Sequence, residues 1–65
     1  MDKLYIKDAE EPQAFTLTIS DTGRFLSLMT NYYKEESVEF RLDVADAEVL
    51  AEYLYKWVEK QLEIF

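Results

Sequence analysis

The 65-residue sequence contains no cysteine and no histidine. Disulfide bonds are therefore excluded, and the usual side chains of a structural zinc site are missing. Histidine is also the commonest general acid or base near neutral pH, and Ser20, Ser27 and Ser37 have no histidine to activate them as nucleophiles. We therefore expect a non-enzymatic protein with no catalytic residues.

Glycine and proline occur once each, as Gly23 and Pro12. A single glycine excludes the glycine-rich loops that hold nucleotide phosphates. Acidic pairs such as Glu35 with Glu36 lack the several oxygen ligands and the turn glycine of a calcium loop. We expect neither a cofactor nor a metal ion.

Long apolar runs are also missing, because charged residues interrupt every hydrophobic stretch, so no membrane-spanning helix is predicted. Residues 1–5 do not resemble a secretory leader, and together with the absence of cysteine this predicts a cytoplasmic location. The length predicts one small acidic α+β domain over residues 1–65. Because so short a chain buries a small core and has no disulfide or metal to reinforce it, we expect oligomerisation.

Alternation of polar and apolar residues predicts an antiparallel sheet of three to four strands. The predicted strands cover residues 3–7, 14–20, 25–30 and 37–42, and Gly23 suits the hairpin turn between the second and third. The third strand is apolar on both sides, so we expect it to be central and covered on both faces. In the fourth strand, Val38, Phe40 and Leu42 are expected to point inward.

Residues 43–65 are predicted to form one long C-terminal helix packed across the sheet, with Asp43 as its N-cap, which gives a ββββα architecture. Its apolar residues span about 240° of the helix circumference, whereas a single core-facing side needs about 100°. The expected core side carries Ala47, Leu50, Leu54, Trp57, Val58, Ile64 and Phe65.

The surplus apolar width predicts a second contact, and self-association is its simplest form because two-fold dimers are the commonest oligomers. The sequence therefore predicts a small protein-binding module, homodimeric through its helix. The expected interface residues are Val49, Tyr53, Tyr55, Trp57, Ile64 and Phe65. The open sheet face with Tyr5, Thr16, Thr18 and Arg41 is a further candidate binding surface.

Charge supports a second hypothesis. The net charge is −7, of which residues 35–65 contribute −6. An acidic surface of this kind could imitate nucleic acid and inhibit a basic DNA- or RNA-binding protein, as small proteins of phages and mobile elements do. Its residues would be Glu35, Glu36, Glu39, Glu48, Glu52, Glu59 and Glu63.

Direct binding of single-stranded nucleic acid is a third hypothesis, suggested by analogy with coactivator-like domains that combine four strands with a dimerising helix. It would use Lys3, Lys7, Arg24 and Lys34 on the sheet side. The acidic net charge disfavours it, because phosphate backbones are repelled.

Overall fold

A computed structural model describes residues 2–33 and 35–64, except for the side chain of Ile64. It confirms the ββββα architecture, with four antiparallel strands in one sheet followed by one C-terminal helix. The strands are β1 (Leu4–Lys7), β2 (Phe15–Asp21), β3 (Leu26–Tyr32) and β4 (Glu36–Leu42), and the helix is α1 (Val44–Ile64). The strands lie in sequence order, so β1 and β4 form the edges and β3 is an inner strand, as predicted.

The strand register separates the side chains into two chemically different faces. Leu28 pairs with Ile19 on one side and with Phe40 on the other, and Ile19 pairs with Leu4, so these four side chains share one face. We call this side the apolar face. Its strand residues are Leu4, Ile6, Phe15, Leu17, Ile19, Asp21, Leu26, Leu28, Thr30, Tyr32, Glu36, Val38, Phe40 and Leu42.

The opposite side, which we call the polar face, carries mainly hydroxyl, amide and charged side chains. Its strand residues are Tyr5, Lys7, Thr16, Thr18, Ser20, Ser27, Met29, Asn31, Ser37, Glu39 and Arg41. Tyr5, Thr16, Thr18 and Arg41 therefore share one face, as their alternation predicts, because successive side chains of a strand point in opposite directions.

The turn between β2 and β3 is built around the single glycine. Gly23 has a φ of 91°, the conformation expected of it, and its amide donates to Oδ1 of Asp21 at 2.7 Å. The Thr22 hydroxyl donates to the Phe25 carbonyl at 2.9 Å, and the Phe25 amide donates back to that hydroxyl at 3.1 Å. Local hydrogen bonds therefore define the conformation of this turn.

Helix α1 begins immediately after the sheet ends. Oδ1 of Asp43 accepts from the Asp46 amide at 2.9 Å, which confirms Asp43 as the N-cap. Asp43 is also the only residue between the end of β4 at Leu42 and the start of α1 at Val44. No residues are available there to form a loop that would turn the helix back over the sheet.

The helix does not lie across its own sheet. Among the described residues, its contacts with the strands are concentrated on β4, next to the junction. Ala47 and Leu50 are half-buried, but Leu54, Trp57 and Val58 are 52%, 57% and 46% exposed. The expected core side of the helix is therefore corrected: most of its described side chains meet no core, because the one-residue connection directs the helix away from the sheet.

The expectations for the inner faces of β3 and β4 are corrected for the same reason. Leu26, Leu28 and Met29 on β3 are only half-buried, because no second layer covers either face of the described sheet. On β4, Leu42 is buried, whereas Val38 and Phe40 are 70% and 64% exposed. These side chains share the apolar face as predicted, but within one chain that face has no cover.

The single chain is consequently open and extended. A monomeric protein of 7.7 kDa normally exposes about 4,300 Å², whereas this chain exposes 6108 Å². Its radius of gyration is 13.6 Å, compared with about 11 Å for a compact domain of this length. Among the described residues, only Ala14, Leu42 and Ser27 are buried. No helix in the described part of the chain is long and apolar enough to cross a membrane.

Candidate protein-binding surfaces

The apolar face of the sheet is one of two uncovered hydrophobic surfaces in the described part of the chain. Its exposed members include Leu4 (54%), Ile6 (44%) and Phe15 (44%), besides Val38 and Phe40. Its two acidic strand residues, Asp21 and Glu36, lie at opposite ends of their strands and leave the centre uncharged. A continuous apolar face of this kind on a protein surface is characteristic of a binding site.

Aromatic side chains continue this surface at the end of the sheet next to the β3–β4 turn. The rings of Phe15 and Tyr32, paired across β2 and β3, have centroids 5.0 Å apart. Tyr33 follows with a φ of 51°, and its ring meets that of Tyr32 edge-on at 4.7 Å. This left-handed conformation is unusual for a bulky residue. Tyr32 and Tyr33 are 44% and 57% exposed, so the aromatic group remains accessible.

Helix α1 presents the second uncovered hydrophobic surface. Four of the six interface residues predicted from the sequence are exposed: Val49 (68%), Tyr53 (71%), Tyr55 (66%) and Trp57 (57%). The side chain of Ile64, and Phe65 altogether, lie outside the described part of the chain. Leu62, on the same apolar arc as Tyr55, is also 70% exposed. The helix therefore shows apolar side chains around most of its circumference, as its sequence pattern predicts.

The seven glutamates of the acidic hypothesis lie in separate places. Glu48, Glu52, Glu59 and Glu63 follow one side of α1, which we call the acidic stripe, and all four are exposed. Lys56 lies beside the stripe and forms the expected i,i+4 ion pair with Glu52 at 3.0 Å. The stripe alone is therefore continuous enough to act as one acidic surface.

The other three glutamates belong to the sheet. Glu35 and Glu36 lie at the β3–β4 turn, at the end of β4 opposite to the helix. Glu39 lies on the polar face, where its Oε2 accepts a 2.6 Å hydrogen bond from the hydroxyl of buried Ser27. The fold of one chain therefore does not bring these three residues into the acidic stripe.

The polar face holds the sheet residues that were predicted as a further binding surface. Tyr5, Thr16, Thr18 and Arg41 share this face, and Lys7 lies beside Thr16 through the β1–β2 register. A shallow groove of about 490 Å³ runs past Tyr5, Lys7, Thr16, Thr18 and Asn31. Arg24 lies in the β2–β3 turn rather than on the polar face, and Lys34 is outside the described residues.

The described residues form no cluster of three or more potential metal ligands. The grooves are open to solvent; one of about 280 Å³ lies between the β2–β3 turn and the first turn of α1. The accessible features of this fold are thus extended surfaces rather than a pocket for a small molecule.

The apolar face of the sheet is the surface that the sequence interpretation missed. Alternation showed which residues share a face, but the helix was expected to cover them. The sequence signal against that expectation is that Asp43, the helix cap, directly follows Leu42, the last strand residue.

In comparisons with known proteins, the chain matches no protein-family model, and no curated protein or solved structure is significantly similar to it.

Proposed function

We propose that this protein is a small, non-enzymatic protein-binding module that assembles as a homodimer through helix α1. The observation that carries the proposal is the exposure of the helix's apolar side chains, with Val49, Tyr53 and Leu62 each about 70% accessible in the single chain. In proteins, most of the stability of a helix comes from packing of its apolar side. A second chain would provide that packing.

The amount of exposed surface agrees with a stable dimer. The excess over a compact monomer of the same mass is about 1,800 Å² per chain, or about 3,600 Å² for two chains. Obligate homodimers bury about 2,000 to 5,000 Å² in total, whereas weak encounters bury less than about 1,200 Å². The excess surface of two copies therefore falls within the range of an obligate interface.

Sedimentation equilibrium over a wide concentration range tests this proposal directly. We expect a dimer that persists at high salt, because burial of apolar surface does not depend on ion pairing. Screening should in fact strengthen it several-fold, because each chain carries a net charge of −7.

Tyr53→Glu, which places a charge in the apolar arc, should dissociate the dimer. Glu59→Gln is the matched control on the acidic stripe and should leave the dimer intact. A chain that stays monomeric at millimolar concentration would refute the homodimer.

An acidic inhibitor that imitates nucleic acid is a second candidate, supported by the exposure of the whole acidic stripe. From Glu48 to Glu63 the stripe extends about 22 Å along the helix. A basic protein would bind it through charge, so its affinity should fall steeply as salt rises.

Binding of a basic partner should also be lost when Glu52→Lys and Glu59→Lys are combined. Salt therefore separates the two candidates, since it strengthens the apolar dimer and weakens the acidic contact. Salt-independent binding to a basic protein would refute the inhibitor.

A further inference from the structure

We infer that the apolar face of the sheet binds helix α1 of a second copy, so that two chains exchange helices reciprocally. This inference rests on the proposed homodimer and specifies its geometry. It assigns to the apolar face a partner of defined chemistry, namely the apolar arc of α1.

The apolar face and helix α1 both need cover. In an α+β fold, an apolar sheet face is normally packed against a helix, and an amphipathic helix against a sheet or another helix. A dimer formed by helices alone would leave Leu4, Val38 and Phe40 exposed on the sheet. A dimer formed by sheets alone would leave α1 exposed along its length. Reciprocal exchange covers both surfaces.

The connection between β4 and α1 favours the same arrangement. Asp43 is the only residue between β4 and α1. On one side of it, Leu42 is fixed by pairing with Leu26, and on the other side the first helical turn is fixed by the Asp43 cap. A short connection that cannot reverse the chain favours exchange between copies over folding back within one copy. The same helix then finds its sheet in a second chain.

The dimensions of the helix match those of the apolar face. The outer strands of a four-stranded sheet lie about 14 Å apart, and a seven-residue strand is about 23 Å long. A 21-residue helix is about 31 Å long, so it can cross such a face and extend beyond it.

The width of the apolar arc fits the same arrangement. An arc of about 240° is wide enough for two neighbours, namely the sheet of the second copy and helix α1 of the second copy. The acidic stripe on the remaining side stays in solvent, which keeps the charges of the two chains out of the contact.

Photo-crosslinking between differently labelled copies tests the exchange. The photoreactive residue p-benzoylphenylalanine replaces either Tyr53 or Val58, which point about 140° apart around the helix, so that at least one probe faces the sheet. Each probe-bearing chain is unfolded and refolded with an excess of ¹⁵N-labelled chain, and the crosslinked peptides are identified by mass spectrometry. The same probe in place of Glu59, on the acidic stripe, is the control, and circular dichroism checks that each chain is folded.

We expect at least one of the two probes to attach to apolar-face residues of the ¹⁵N-labelled chain, such as Leu17, Leu28 or Phe40, and the Glu59 probe to give no such product. Attachment of both probes only to the helix of the labelled chain would overturn the exchange while leaving the homodimer intact. Attachment to the sheet of the probe's own chain would overturn it too. A monomeric mass in sedimentation, with no product between chains, would instead refute the proposed homodimer.

Discussion

Replacement of Phe40 by alanine tests whether this side chain stays in solvent or is buried in the dimer interface. Phe40 lies on edge strand β4 and is 64% exposed in the single chain. If it stayed in solvent, the substitution would change the free energy of unfolding by no more than about 0.5 kcal/mol. If α1 of a second copy covers it, the side chain becomes part of a core, and its removal has a much larger effect.

The size of that effect follows from the exposed fraction. For a phenylalanine of about 200 Å², 64% exposure corresponds to about 130 Å². At about 25 cal/mol per Å², covering this area contributes about 3 kcal/mol, or roughly 2.5 after allowing for the remaining alanine. Two-fold symmetry doubles the effect, so Phe40→Ala should weaken the dimer by about 5 kcal/mol, which raises Kd roughly a thousand-fold or more.

Tyr5→Ala is the matched control. Tyr5 is 69% exposed and also lies on an edge strand, so both substitutions replace an exposed edge aromatic by alanine. It lies on the polar face, however, and its replacement should change Kd less than ten-fold. Kd is measured by sedimentation equilibrium, with circular dichroism to confirm the fold. Equal and small effects of the two substitutions would refute the burial of the apolar face in the dimer.

Three further predictions concern the connections between elements. Insertion of about six Gly and Ser residues between Leu42 and Asp43 should let α1 fold back onto its own sheet. The Kd of the dimer should then rise in sedimentation with unchanged helical circular dichroism, and an unchanged Kd would contradict this. Asp43→Ala removes the hydrogen bond from the Asp46 amide and should lower the free energy of unfolding by about 1 kcal/mol in urea titration. Asp43→Asn can still cap the helix, so its loss should be smaller. Gly23→Ala should cost about 1 kcal/mol because of the positive φ alone, since no atom beyond its two chain neighbours lies within 4 Å of the added methyl group. An unchanged midpoint in the same titration would show that the turn adopts another conformation.

Local features of the fold could be predicted from the sequence because they depend on neighbouring residues. Gly23 is the only residue of the chain free to adopt a positive φ without cost, and it occupies the hairpin turn. Asp43 has a short side chain that reaches the amide three residues later, so it marks the start of the helix. Alternation placed Val38, Phe40 and Leu42 on one face because the side-chain period of a strand is two residues.

The position of the helix could not be predicted from periodicity, which shows the direction of a side chain but not what covers it. The apolar residues of α1 have the same pattern whether the helix packs on its own sheet or on that of another chain. The distinction depends on the connection, where Asp43 alone separates strand and helix. Val38 and Phe40 were expected to point into a core because the helix was assumed to reach them.

The uncovered apolar face also bears on how many molecules of this protein a cell would hold. For a chain whose core is completed by its own second copy, the folded fraction rises with concentration, because association stabilises only the folded form. Newly made or diluted copies would present Val38, Phe40 and the apolar arc of α1 to chaperones and proteases, whereas paired copies would hide them. Turnover would then remove unpaired chains selectively and impose a lower limit on the concentration at which the protein persists.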